Sequence, residues 1–127
     1  AKILMPDREV VCFTGDGGFF YHVADIETAV RWNIPVVIVV NNNHSGNQSK
    51  HGYDLVYGGK QTERAKELWV WTDVNIAKIA ESFGAQGLRV EKPSDFAPAL
   101  EKAIASRRTT IIDVVTDMNA EAPLAVG

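Results

Sequence analysis

The sequence predicts a three-layer α/β domain with a mostly parallel sheet. Two observations carry this. Short runs rich in apolar and β-branched residues, at 10–13, 36–40 and 109–115, alternate with segments whose apolar residues recur at helical spacing, an order that buries both faces of a parallel sheet. The connection through Pro35 into the second run is short, which forces a parallel return by a crossover of the usual right hand.

Taken in order, residues 1–5 are a short apolar piece closed by the turn signal Pro6-Asp7-Arg8. Residues 10–13 read as a buried strand in which Cys12 fills core space. Gly15-Asp16-Gly17-Gly18 follows, and its glycines are expected to let the backbone turn sharply and approach a ligand. Phe19, Val23, Ile26 and Val30 then share one helical face, predicting a helix over about 18–33 that Pro35 cannot continue. The apolar run 36–40 is the second strand and leads into Asn41-Asn42-Asn43.

From 44 to 72 no period holds. Gly46, Gly52, Gly58 and Gly59 fall in a stretch that is long for a loop, and loops of that length are functional or mobile. A short helix fits 63–68, and Trp69 and Trp71 alternate as on an extended edge. Asp73 is expected to cap a helix carrying Ile76, Ile79 or Ala80, and Phe83, with Gly84 at its end. Residues 87–90 read as a short strand. Pro93-Ser94 opens a helix with Phe96, Leu100, Ala103 and Ile104 on one face, and Arg107-Arg108 closes it. The β-branched run 109–115 is the last strand, and 120–127 has little to pack.

The 127 residues fit one domain, residues 1–127, large enough to bury a core. With 13 basic and 16 acidic residues the net charge is −3, and the basic residues are scattered, so nucleic acid is excluded as an expected partner. A single cysteine forms no intrachain disulfide and suits a reducing compartment. No leader-like start and no long apolar run is present, so the expectation is a cytoplasmic chain with no membrane partner.

The chemistry concentrates at two consecutive strand ends, where open parallel sheets place ligands. The N–H groups of Gly17 and Gly18 are expected to lie free at a helix start and to favour a phosphate. Asp16 would repel that phosphate unless a divalent cation lay between them. Beyond the second strand, Asn43 offers an amide oxygen and the next turn a backbone carbonyl, most simply that of Ser45. With phosphate oxygens and water, these hard donors complete the octahedron Mg²⁺ requires. Read alone, Asp16 fits a helix N-cap and the Asn run a loop. The dinucleotide fingerprint fails, because Phe20 stands where its third glycine belongs and no acidic residue follows the second strand. No Walker-type lysine exists either. His44 and His51 lack a zinc-site spacing, although His44 fits a polar contact near a ligand.

Gly15-Asp16-Gly17, followed after a helix and a strand by Asn42-Asn43, resembles the cofactor motif of thiamine diphosphate-dependent enzymes. The 27-position interval from Asp16 to Asn43, with Pro35 opening the second strand, is most similar to the acetolactate synthase and 2-oxo acid decarboxylase branch. The resemblance implies the C-terminal, diphosphate-binding domain of that fold. It also implies metal ligands Asp16, Asn43 and the carbonyl of Ser45, with Gly15, Gly17, Gly18 and Gly46 completing the cofactor-binding set. Thiamine diphosphate and Mg²⁺ are the implied cofactors, and decarboxylation or carboligation of a 2-oxo acid the implied reaction.

In that family an activating glutamate and the hydrophobic residue that bends the cofactor lie outside the segment represented here. The chain therefore reads as N-terminally truncated, completed by upstream domains and a second subunit, a homo-oligomer in its full form and inactive in isolation. A small subunit of a two-chain decarboxylase or oxidoreductase, and a binding module without chemistry, remain open alternatives.

Overall fold

The computed structural model describes residues 1–60 and 62–120. Four strands, β1 (Val11–Gly15), β2 (Val37–Asn42), β3 (Gln86–Val90) and β4 (Thr110–Val115), form one sheet in the order β1-β2-β4-β3. Every pairing is parallel. Between β1 and β2 lie α1 (Asp16–Tyr21) and α2 (Asp25–Arg31). Between β2 and β3 lie α3 (Asn47–Tyr57), α4 (Glu63–Lys66) and α5 (Ile76–Ser82). A 3₁₀ turn at Pro93–Asp95 leads into α6 (Phe96–Ser106).

Alternation along the strands builds two cores. Val40 and Ile111 point to the side on which Phe19, Ile26, Ile76 and Ala80 pack. Val37, Val39 and Ile112 point to the other, against Ala103, with Phe96, Leu100 and Ile104 around it. The sheet thus lies between two helical layers, the architecture expected. The helical face Phe19-Val23-Ile26-Val30 packs as its spacing required.

Several expectations are corrected. The helix over 18–33 is two: hydrogen bonds from Asp25 N–H to His22 and from Ile26 N–H to Val23 replace the α pattern at the joint. Residues 20–23 are aromatic, His or β-branched, all modest helix formers, and supply little propensity to hold the run continuous. Asn33 then takes a left-handed conformation, φ +50°, which asparagine tolerates. Cys12 is exposed rather than buried, with Val11 48% and Phe13 74% exposed beside it. The cause is position, since β1 is an edge strand. A hollow of about 310 Å³ opens beside it, lined by Cys12, Phe19, Ile26 and Ile38 among others.

The stretch after β2 contains an 11-residue helix, α3, where a loop was expected. None of its residues is buried, so no apolar period marked it. The expected short helix is present as α4. Asp73 does not cap α5; Asn75 does, its Oδ1 accepting from Lys78 N–H at 2.9 Å. Arg107 closes α6 as its left-handed C-cap. Gly87 admits close packing of α5, because a Cβ there would lie 2.2 Å from the Ala77 carbonyl oxygen. Of the tail, residues 121–127 lie outside the described residues. Among the described residues no helix is long and apolar enough to cross a membrane.

Candidate functional site

The register Gly15↔Asn41 places the carboxyl ends of β1 and β2 side by side. Gly15 is the N-cap of α1, in extended conformation. Asp16 opens the helix with its side chain buried, 3% exposed. One carboxylate oxygen, Oδ1, accepts from Gly17 N–H at 2.8 Å. The other, Oδ2, accepts from the indole Nε1–H of Trp71 at 3.1 Å. The N–H of Gly17 is therefore engaged by its neighbour's carboxylate instead of lying free.

None of Gly15, Gly17 and Gly18 has a positive φ, so the motif's glycines serve space and not an unusual turn. A Cβ on Gly18 would meet Thr14 Oγ1 at 2.7 Å, and one on Gly17 would sit 3.5 Å from the Trp71 ring. Gly15 has open space around it.

On the neighbouring strand, β2 ends at Asn42, and the side chains of Asn42 and Asn43 diverge. Asn42 is buried, and its Nδ2 donates to the Val74 carbonyl at 3.1 Å and to Asp113 Oδ1 at 2.8 Å. Asn43 folds over its own turn, Oδ1 accepting from Ser45 N–H at 3.0 Å; an amide oxygen keeps a second lone pair for a ligand. His44 follows with φ +56°. Ser45 and Gly46 then pair with the strip 69–71. Gly46 N–H donates to Trp69 at 2.7 Å, Trp71 N–H donates to His44 at 3.0 Å, and Ser45 faces Val70 in an antiparallel bridge. In that geometry the N–H and C=O of Ser45 itself point away from the strip. The extended edge expected at Trp69 and Trp71 is reduced to this short ribbon centred on Val70, with Trp69 itself in the turn after α4.

Behind the cleft lies a network that sequence reasoning missed. Asp113, fully buried in β4, accepts from Asn42, from Ile76 N–H at 3.0 Å and from Arg89 Nη1 at 3.0 Å. Arg89 also bonds Asp73 at 3.2 Å and Glu91 at 3.0 Å. His44 Nε2 stands 3.5 Å from the same Asp73. Burial pulls the guanidinium pKa down, but the hydrogen bonds to Glu91 and Asp73 and the charge of Asp113 outweigh it, and the net direction is upward. The one visible signal was an acid inside the apolar run 109–115.

Asp16 is the exception to this pairing. No cationic side chain bonds it among the described residues, although it is as buried as a core residue. Buried carboxylates are normally paired or coordinate a metal. Nearby, Ser45 Oγ and Asn47 Oδ1 are buried without a hydrogen-bond partner, while Asn47 Nδ2 donates to Met118 at 2.7 Å. One uncompensated carboxylate, orphaned polar oxygens and hard oxygen donors fit a cation with a polar ligand. Among the described residues no three His, Cys, Asp or Glu side chains form a metal cluster. The donors at this site are one carboxylate, an amide and a backbone carbonyl, a different set from such a cluster. His51 lies exposed on α3, and His22 pairs at the surface with Asp25 at 3.4 Å.

The profile of the family "Thiamine pyrophosphate enzyme, C-terminal TPP binding domain" matches residues 1–114. The chain belongs to the thiamine diphosphate enzymes. Over 126 residues, 98% of its length, it is 36% identical to an acetolactate synthase of Bacillus subtilis (strain 168), of which it covers 21%. Over 120 residues, 92% of its length, it is 34% identical to a 2-hydroxyacyl-CoA lyase of Arabidopsis thaliana, of which it covers 20%. Among solved structures it superposes with TM-score 0.77 on a thiamine diphosphate-dependent 4-hydroxybenzoylformate decarboxylase of Rhodococcus jostii RHA1. That match has 29% identity and covers 92% of this chain and 21% of the other. The chain therefore spans about a fifth of the length of these relatives. As a thiamine diphosphate-binding domain, it presents at the ends of β1 and β2 the motif on which the resemblance was recognised.

Proposed function

We propose that this chain is the diphosphate-gripping domain of a thiamine diphosphate- and Mg²⁺-dependent enzyme that decarboxylates or carboligates 2-oxo acids. The observation that carries the reading is Asp16, a buried carboxylate without a cationic partner among the described residues, just past the end of the strand paired with β2, whose own end leads into a turn of neutral oxygen donors. In this reading Asp16, the Asn43 amide oxygen and the Ser45 carbonyl hold Mg²⁺. Gly15, Gly17, Gly18 and Gly46 keep side chains away from the diphosphate, and Ser45 Oγ and Asn47 Oδ1 are polar groups within the same turn. When bound, the cofactor supplies the nucleophilic carbon that adds to a carbonyl and accepts electrons as carbon dioxide leaves. The chain's own residues grip and orient; Asp16 and Asn43 fix the anionic end through the metal.

The rest of such an enzyme is also proposed. Residues 1–127 form one domain, with catalytic groups supplied from other domains and from a second subunit, in a homo-oligomer. Leu55, Val56 and Tyr57 on α3 are 74%, 74% and 57% exposed, and apolar surface of this kind favours a covering partner. An exposed Cys12 without a disulfide partner suits a reducing, cytoplasmic setting.

The test is Asp16→Ala, titrated calorimetrically with thiamine diphosphate with and without Mg²⁺. Loss of the Mg²⁺-dependent binding is expected. Unchanged affinity would remove Asp16 from the site.

A further inference from the structure

Trp71 is the side chain at the cleft for which the roles above do not account. Its backbone is fixed to the turn after β2 by the Trp71–His44 and Gly46–Trp69 hydrogen bonds. Trp69, two positions earlier, is 2% exposed and lies 5.1 Å from the ring of Tyr53, so packing anchors the strip. From this anchored strip the Trp71 indole crosses to the end of β1, where Nε1–H donates to Asp16 Oδ2 at 3.1 Å. Its six-membered ring lies 3.5 Å from the Cβ position of Gly17 and 3.2 Å from that of Gly46. One side chain thus spans both glycines and holds the carboxylate.

We propose that Trp71 is a gate of this site. It closes the cleft by occupying Asp16 and the surface over Gly17 and Gly46, and it swings away when Mg²⁺ and the diphosphate of thiamine diphosphate enter. The inference rests on the reading of the site given above. Its logic is substitution: a hydrogen bond to a charged acceptor offsets part of the cost of burying Asp16 without a cation. A cation with its phosphate oxygens competes for the same carboxylate oxygen and the same glycine surface. Only rotation about the side-chain bonds of Trp71 is needed, and the ribbon stays paired. The closed state lowers apparent affinity in proportion to the fraction of molecules that are open.

The experiment titrates the 127-residue chain with Mg²⁺ plus thiamine diphosphate, and separately with Mg²⁺ plus inorganic pyrophosphate, which adds no ring absorbance. Calorimetry reports binding and tryptophan emission reports the gate, with Trp71→Phe alongside. Trp32 is 68% exposed and Trp69 is buried, and the indole bonded to Asp16 is that of Trp71. The expected result is binding accompanied by an emission change in the native chain, and no such change in Trp71→Phe. The variant, which keeps a ring but loses the donor, should bind on the order of tenfold tighter. Binding with the same emission response in both proteins, or with affinity in Trp71→Phe equal or weaker, overturns the gate and leaves the cofactor reading standing. No binding by either protein overturns both. Should Trp71→Phe fail to fold, acrylamide quenching of the native chain decides: a rise on binding supports the gate, and unchanged quenching refutes it.

Discussion

Replacing Arg89 with Met tests whether the network behind the cleft supports the fold. Arg89 is the cation bonded to fully buried Asp113, at 3.0 Å, with the guanidinium side chain only 20% exposed. Met keeps much of the apolar stem and removes the charge. Breaking one side of a buried pair costs about 3–5 kcal/mol, because the remaining charge is left uncompensated. Asp113 would retain its bonds from Asn42 Nδ2 and Ile76 N–H, which places the expected loss near the lower end, about 3 kcal/mol.

The pH dependence has a definite sign. In the native chain the Arg89 pKa is raised, so its contribution is complete at all pH values below the ordinary arginine range and is lost only in strong alkali. Urea unfolding at constant m-value measures the loss. A loss below about 1 kcal/mol at neutral pH, typical of a surface ion pair, would refute the reasoning.

Further outcomes are expected. Hydrogen exchange across residues 44–60 should slow when thiamine diphosphate and Mg²⁺ are added, since α3 buries none of its residues and such segments open locally; equal protection in both states would contradict it. Gly52→Ala should stabilise by about 0.5–1 kcal/mol, because Gly52 lies within α3 with nothing near its Cβ position. Gly87→Ala should destabilise the chain strongly through its 2.2 Å approach to Ala77, and thermal melts of the two variants give the contrast. The isolated chain should show no pyruvate decarboxylation and should self-associate in sedimentation through exposed residues such as Leu55, Val56 and Phe13; turnover by the chain alone would defeat that expectation.

What the sequence disclosed depended on whether burial left a period in it. The unit from β1 to β2 was legible because Phe19, Val23, Ile26 and Val30 face one core and Val36 to Val40 run unbroken. Helix α3 was not, because a helix with no buried residue needs no apolar stripe. Cys12 was misread for a related reason: a short apolar run looks the same in a central strand as at an edge, and strand order decides which it is. At the site, the motif residues could be named singly from their types and spacing. Their partners could not, because Asn42 meets Asp113 across 71 positions and Asp16 meets Trp71 across 55.

The strand order also sets when the cleft becomes whole during synthesis. β1 and β2 are neighbours in the chain as well as in the sheet, so the two ends that form the cleft can come together once residue 46 has been made. The strand that flanks β2 on its other side, β4, is the last of these four to be synthesised, with Val37 aligned to Thr110. Until β4 arrives, Asn42 lacks Asp113 and one edge of β2 is bare. Pairings so distant in the chain are slow to form, since the loop between them must close first. A growing chain thus brings Asp16 and Asn43 to neighbouring strand ends well before it has the scaffold to hold them rigid, and that rigidity waits on the docking of β4.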